Sequence, residues 1–297
     1  MERYVYQPLD LTEESFRLIR LVKGTGLPIR CELFHALLQD LDSFVEYEAL
    51  SYTWGGTTKT QAVEMDVGTI LPVTQNLLEA LQHLRFPHED RILWIDAISI
   101  DQDNIKERGH QVRRMRAIYE GAVRVNVWLG RPTPYTDLVL RNMQKFEKEA
   151  RSYPCNDWQP SDERWHDIWC RSWFDRVWII QEVAHARTAT IICGHLKVSS
   201  RIFVMMPLVL NIELVPLCQA ILDVMPGPFR RYSWWSKTRN LRTLLSKFSH
   251  SQASDERDKI FALLGLSSDA NNSVVLYANY SIPTVMVLHN LISFLVS

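Results

Sequence analysis

The sequence predicts an α/β fold with a mostly parallel sheet, and three observations carry that prediction. Residues 92–95 (Ile-Leu-Trp-Ile) are apolar at consecutive positions, the mark of a strand covered on both faces. Ile105, Val112, Met115, Ile118, Tyr119 and Ala122 then recur at helical spacing among charged residues. Val123, Val125 and Val127 alternate into Trp128 and Leu129, a second strand. Strand, helix and strand over this length make a βαβ unit, whose crossover is nearly always right-handed. Ligands of such sheets gather beyond the carboxyl ends of the strands, which is where Asp96 and the segment 99–104 fall.

The remaining elements follow in order. Residues 15–22 and 29–33 form a hairpin about the turn-forming Gly24-Thr-Gly26-Leu-Pro28. Residues 48–52 form a short strand that runs into Gly55-Gly56. Strands at 62–66 and 69–73 pair through Gly68, and Thr74 caps a helix reaching Leu84 with Leu77, Leu78, Leu81 and Leu84 on one face. Pro132 and Pro134 interrupt the chain before a helix at 135–150, and a polar loop covers 152–160. Helical segments at 165–173 and 174–186 precede a hairpin of 188–193 with Lys197 and Val198. Beyond Ser199 strand signals fade and helices are expected at 203–223, 234–248 and 259–266, broken most clearly by Pro226-Gly-Pro228. The domain organisation expected is an α/β body over 1–200 with a helical extension, 201–297, packed on it. The apolar run at 285–297 has no obvious stop, as expected of a truncated form of something longer.

Composition narrows the function. The 297 residues are enough for a sizeable core, and a formal net charge of -1 gives no general attraction to nucleic acid or anionic membrane. The basic residues Arg108, Arg113, Arg114 and Arg116 lack clustered aromatics, so they read as a solvated helix face and not as a nucleic-acid reader. A polar start without a signal-peptide pattern implies a cytoplasmic protein, and the apolar run at 291–296 is too short to span a bilayer. The five dispersed cysteines read as reduced thiols. His166, His185 and His195 lack ligand spacing, so no metal is expected. No Walker A sequence, no GxGxxG after a strand and no Gly-x-Ser-x-Gly elbow occurs, which argues against a phosphate loop, a conventional Rossmann dinucleotide site and a serine hydrolase of that type.

Three blocks stand in a specific order. They are Tyr47-Glu-Ala-Leu-Ser-Tyr52-Thr-Trp54-Gly55, then Leu93-Trp-Ile-Asp96-Ala-Ile-Ser-Ile-Asp101-Gln102-Asp-Asn-Ile-Lys-Glu107-Arg, then Ser172-Trp173-Phe-Asp-Arg176-Val-Trp178-Ile-Ile-Gln181-Glu182. Together they resemble the signatures of the fungal heterokaryon incompatibility (HET) domain, and Ser254-Asp-Glu-Arg257-Asp258-Lys-Ile-Phe-Ala-Leu-Leu-Gly265 resembles a segment that often follows it. Asp101 departs from the pattern, where Asn is more usual. The resemblance implies a role in fungal non-self recognition and programmed cell death. Through a distant likeness to TIR-type domains it further implies a flavodoxin-like α/β fold and self-association.

In that comparison Trp178-Ile-Ile-Gln-Glu182 resembles the helix that carries the catalytic glutamate of NAD-cleaving TIR proteins. Glu182 is then the catalytic carboxylate, holding ribose hydroxyls and favouring the oxocarbenium-like state as nicotinamide leaves. Tyr52, Trp54, Asp96, Gln102, Arg176 and Trp178 form the substrate-binding set, with NAD as substrate and no resident cofactor. The residues leave structural readings open beside this one. Glu182 lies in an almost wholly apolar segment, so it is paired with Arg176 or Arg187, protonated, or exposed on a wet stripe. Tyr52 also fits a core aromatic, and Asp96 fits a loop-ordering role as well as a ligand contact. Glu107 fits a capping box begun by Asn104. The alternative function is a non-enzymatic signalling module that self-assembles or recruits an unidentified protein; the aromatic-rich segment 158–178 fits its interface, and fits packing inside the domain better.

Overall fold

The computed structural model describes residues 2–38, 45–56, 58–149, 165–271 and 273–296; the loop expected at 152–160 lies outside them. Nine strands form one sheet: β1 Ser15–Leu21, β2 Arg30–Leu37, β3 Glu48–Tyr52, β4 Gln61–Met65, β5 Ile70–Val73, β6 Arg91–Trp94, β7 Arg124–Trp128, β8 Ala189–Cys193 and β9 Leu196–Ser199. Their spatial order is β5-β4-β2-β1-β6-β3-β7-β8-β9. The middle block β6-β3-β7-β8 is parallel throughout. The expected hairpins β1–β2, β4–β5 and β8–β9 are antiparallel additions, and β1 also runs antiparallel to β6. The sheet is therefore mixed, with a four-stranded parallel block and a further short parallel pairing of β2 with β4 outside it.

The βαβ unit exists with one refinement. Strands β6 and β7 are not neighbours, because β3 lies between them and pairs with both. The full register of β3 on β7, from Glu48↔Arg124 to Tyr52↔Trp128, brings the carboxyl ends of the two strands level. Helix α1, Gln75–Leu84, is capped by Thr74, whose side chain accepts from the Leu77 amide. Residues Asp96–Ser99 form the single turn α2, and α3 spans Ile105–Gly121.

Strand alternation sorts the core into two clusters. Leu50, Tyr52, Leu93, Ile95, Trp128 and Ile192 meet the leucines of α1 on one face. Ala49, Trp94, Val125, Val127 and Ile191 meet Met115, Ile118 and Tyr119 of α3 on the other. That second cluster continues into α4 (Pro134–Glu149), α5 (His166–Trp169) and α6 (Ile179–Ala184), and on to Ile260–Leu264. Burying both faces is what a parallel block requires, and it explains the unbroken apolar run of β6.

The helical region beyond β9 is more segmented than periodicity suggests. The helix expected over 203–223 is three pieces: α7 Ser200–Phe203, α8 Met206–Val209 and α9 Pro216–Val224. Asn211 adopts a φ of 50° and Pro216 opens the third piece, both incompatible with one continuous helix. The helix expected over 234–248 divides into α10 Trp234–Lys237 and α11 Leu241–Lys247, because Asn240 caps the second by accepting from the Thr243 amide. Helix α12 covers Asp258–Leu264, and the terminal apolar run is helix α13, Thr284–Val296. No helix among the described residues is long and apolar enough to cross a membrane.

Candidate active site at the carboxyl edge of the sheet

Beyond Tyr52 the chain turns through Gly55 and Gly56, whose φ values of 73° and 113° are left-handed. Gly55 packs on Asn76, which donates to the Thr53 carbonyl oxygen at 2.6 Å and accepts from Trp128 Nε1 at 2.9 Å. This clasp ties the β3 turn to the end of β7 and sets the direction in which Trp54 points. Trp54 Nε1 donates to Asp96 Oδ2 at 3.1 Å. The other Asp96 oxygen accepts from the Ala97 amide at 2.7 Å, while Gln102 Nε2 donates to the Asp96 carbonyl oxygen at 2.9 Å. Gln102 thus orders the loop after β6 and does not reach the carboxylate.

Arg176 arrives from the turn before α6. Its guanidinium donates to the Tyr52 carbonyl oxygen and lies 3.8 Å from Asp96 Oδ2. Burial works against its charge, but Glu182 and Asp96 outweigh that and raise its pKa. Burial pushes the Asp96 carboxyl up, with Arg176 and the Trp54 bond pulling the other way.

Glu182 sits on α6 and is only 1 % exposed. It makes no ion pair with either expected arginine: the ion-pair partner of Arg176 is Asp96, and Arg187 Nε donates to the Glu120 carbonyl oxygen. Ser51 accepts from Trp173 Nε1 at 2.9 Å and lies close enough to the Glu182 carboxylate to favour its charged form. Glu182 Oε2 has no hydrogen-bond partner. Desolvation raises the Glu182 pKa to about 7, against the opposing pull of Arg176 and Ser51. The result is a carboxyl group poised between its two protonation states near neutrality, beside a guanidinium and a second carboxylate. That is a setting in which proton transfer and cation stabilisation are both chemically available.

Two expected members take other parts. The Tyr52 ring is buried in the α1-side cluster, against which Trp54 also packs. The Tyr52 carbonyl oxygen accepts from Arg176, its hydroxyl has no hydrogen-bond partner, and burial, with Asp96 and Glu182 adding to it, pushes its pKa up. A side chain at the end of β3 takes the face opposite Ser51, and strand alternation puts Ser51 toward α6. Trp178 turns outward from the cluster. Its Nε1 donates to Asp258 Oδ2 at 3.0 Å, and Asp258 also accepts from the Tyr280 hydroxyl at 2.7 Å. Trp178 therefore couples the site helix to the helical region and does not line the site.

Ser51, Trp173 and Tyr119 join the site without having stood out as members in the sequence. The Tyr119 hydroxyl donates to the Leu50 carbonyl oxygen at 3.2 Å, behind the cluster. Ser51 carried a readable signal: it is a serine within a fully buried stretch, Ala49 to Tyr52, and such a hydroxyl needs a partner. In the aromatic segment 158–178, Trp165, Trp169 and Trp173 are buried in the core, as the packing reading expects, and Trp158 lies outside the described residues.

Glu107 is likewise reassigned. Asn104 does cap α3, accepting from the Glu107 amide at 3.2 Å. Glu107 does not return the bond to Asn104; its Oε1 accepts from the Asp101 amide at 2.7 Å and from Arg17 at 2.6 Å, and its Oε2 from Arg17 at 3.0 Å. Arg17 and Glu107 form a buried, bidentate ion pair that fastens β1 to the loop behind Asp96.

A parallel strand block with a carboxylate–guanidinium cluster at its carboxyl edge defines an α/β protein with its candidate site at the edge usual for that class. Residues 47–182 match the family model described as heterokaryon incompatibility protein (HET), a span that begins at Tyr47, just ahead of β3, and ends on Glu182. Over that span the chain is similar to the HET domain. It is 26 % identical to heterokaryon incompatibility protein 6, OR allele, of Neurospora crassa, over 76 % of this chain. The match spans 43 % of that relative, less than half its length. No solved structure matches the chain.

Proposed function

We propose that the chain is an effector of heterokaryon incompatibility whose α/β domain cleaves NAD at the nicotinamide–ribose bond, with Glu182 as the catalytic carboxylate. One observation carries the reading: a buried carboxyl oxygen of Glu182 without a partner, in a group that titrates near 7, beside Arg176 and Asp96. The order of the parallel strands supports it. Numbered by their own sequence, β3, β6, β7 and β8 stand as 2-1-3-4, the order of flavodoxin-like sheets, to which the TIR comparison points.

In the proposed reaction the C1′–N1 bond breaks and its electron pair stays on the pyridine nitrogen. Water adds to C1′, and nicotinamide, ADP-ribose and a proton are released. Ionised Glu182 stabilises the positive charge that develops on the ribose, and Arg176 offers its guanidinium to a phosphate oxygen. Asp96 and Glu182 are buried while Trp54 and Arg176 are half-buried, so the reaction needs this closure to open. Self-association is the proposed trigger that opens it. The same closure favours a second reading, in which assembly alone signals and Glu182 is structural.

Nicotinamide release by purified wild-type and Glu182→Gln chains at high protein concentration separates the two. The enzyme reading expects release by the wild type and its loss in a folded variant. Equal release by both, or none from assembled wild type, overturns it.

A further inference from the structure

Helix α13 carries a pattern that the α/β domain does not use. Val285, Leu288, Ile292 and Leu295 follow one another at intervals of three, four and three residues, the a and d spacing of a heptad repeat. All four are exposed, at 74, 46, 62 and 40 %. Helical geometry puts them in one stripe, about a quarter-turn from Val287 and Leu291, which hold the helix on the protein body. A solvated helix face normally carries charge, yet no residue of α13 is charged.

We infer that this stripe is the seam of a parallel two-stranded coiled coil formed with the α13 of a second copy of this chain. The residue types choose the occupant. β-branched Val285 and Ile292 at a, with Leu288 and Leu295 at d, is the combination that favours two parallel strands over three or four. A parallel pairing is also self-complementary, each seam residue meeting its own counterpart across a two-fold axis. The helix has no charge with which to select a different partner, and none to repel its own copy.

A free peptide of this length would be too short to pair, but α13 is already folded and anchored by Val287 and Leu291. Pairing removes the four exposed seam side chains of both copies from water, and a contact this small depends on protein concentration. It stands independently of any role for Glu182.

Sedimentation equilibrium of the 297-residue chain across low to high micromolar concentration tests it. The wild type is expected to pass from monomer to dimer. Ile292→Glu is expected to weaken the dimer about tenfold or more, by placing two like charges at one a layer. Met286→Glu, on the same helix outside the seam, is expected to leave it unchanged. In a background of Cys155→Ser and Cys170→Ser, Leu288→Cys is expected to cross-link under an added thiol oxidant, because parallel strands place the two d positions together. A wild type that stays monomeric, a dimer indifferent to Ile292→Glu, or a dimer in which Leu288→Cys does not cross-link overturns the inference.

Discussion

Replacing Glu182 by glutamine changes how stability depends on pH, and the structure sets the size of the change. In the unfolded chain the carboxyl ionises near its ordinary 4.5, whereas in the fold burial lifts it to about 7. Below the unfolded value both states hold the proton and the group makes no pH-dependent contribution. Between the two values the unfolded chain releases its proton while the folded one keeps it, so stability falls as pH rises, levelling off above about 7. The full span corresponds to on the order of 3 kcal/mol, from about 1.4 kcal/mol for each tenfold change in the ionisation constant. Glu182→Gln removes this titration and leaves the other groups in place. Urea unfolding of both proteins at several values between pH 4 and 8 should therefore show wild type losing about 3 kcal/mol relative to the variant as pH rises. A difference that stays constant across that window would show that Glu182 is solvated or paired, and the account of its burial would be refuted.

Other perturbations test the scaffold around it. Arg17→Met strands Glu107 as a buried charge and should cost about 3–5 kcal/mol by chemical denaturation, while Arg17→Met with Glu107→Leu should recover most of the loss. Asn104→Ala removes the cap of α3 and should lower unfolding free energy by about 1 kcal/mol. Gly55→Ala forces a side chain into a φ of 73°, with its Cβ 3.1 Å from the Asn76 Cβ. It should cost about 1–2 kcal/mol in thermal melts, and an unchanged midpoint would mean that the β3 turn is not held as described.

Much of this arrangement was readable from patterns that act over a few residues. The apolar run of β6, the Thr74 and Asn104 caps and the three hairpins are local signals, and each survives into the fold. Asp96 and Arg176, predicted as site members, do meet at the carboxyl edge. What could not be read was the assignment of partners across the chain. Glu107 had a sound local explanation, yet a guanidinium 90 positions away competed successfully for its oxygens. Trp178 and Glu182 are four residues apart, but the tryptophan was drawn to Asp258 by a contact that no spacing reveals. Tyr52 fits the core-aromatic reading, buried in the α1-side cluster, but which helix covers that side of β3 is a long-range matter. The segmentation of 200–224 followed from one left-handed asparagine and one proline inside an apolar stretch whose composition still reads as helix.

The most direct test of the central claim is the pH dependence of nicotinamide release from NAD by the wild-type chain. If the Glu182 carboxylate is the catalytic group, release rises with pH through a midpoint near 7, where the buried carboxyl ionises, and disappears in Glu182→Gln. Release that is flat across that range, or that persists unchanged in the variant, would leave Glu182 as a structural group and the chemistry without its carboxylate.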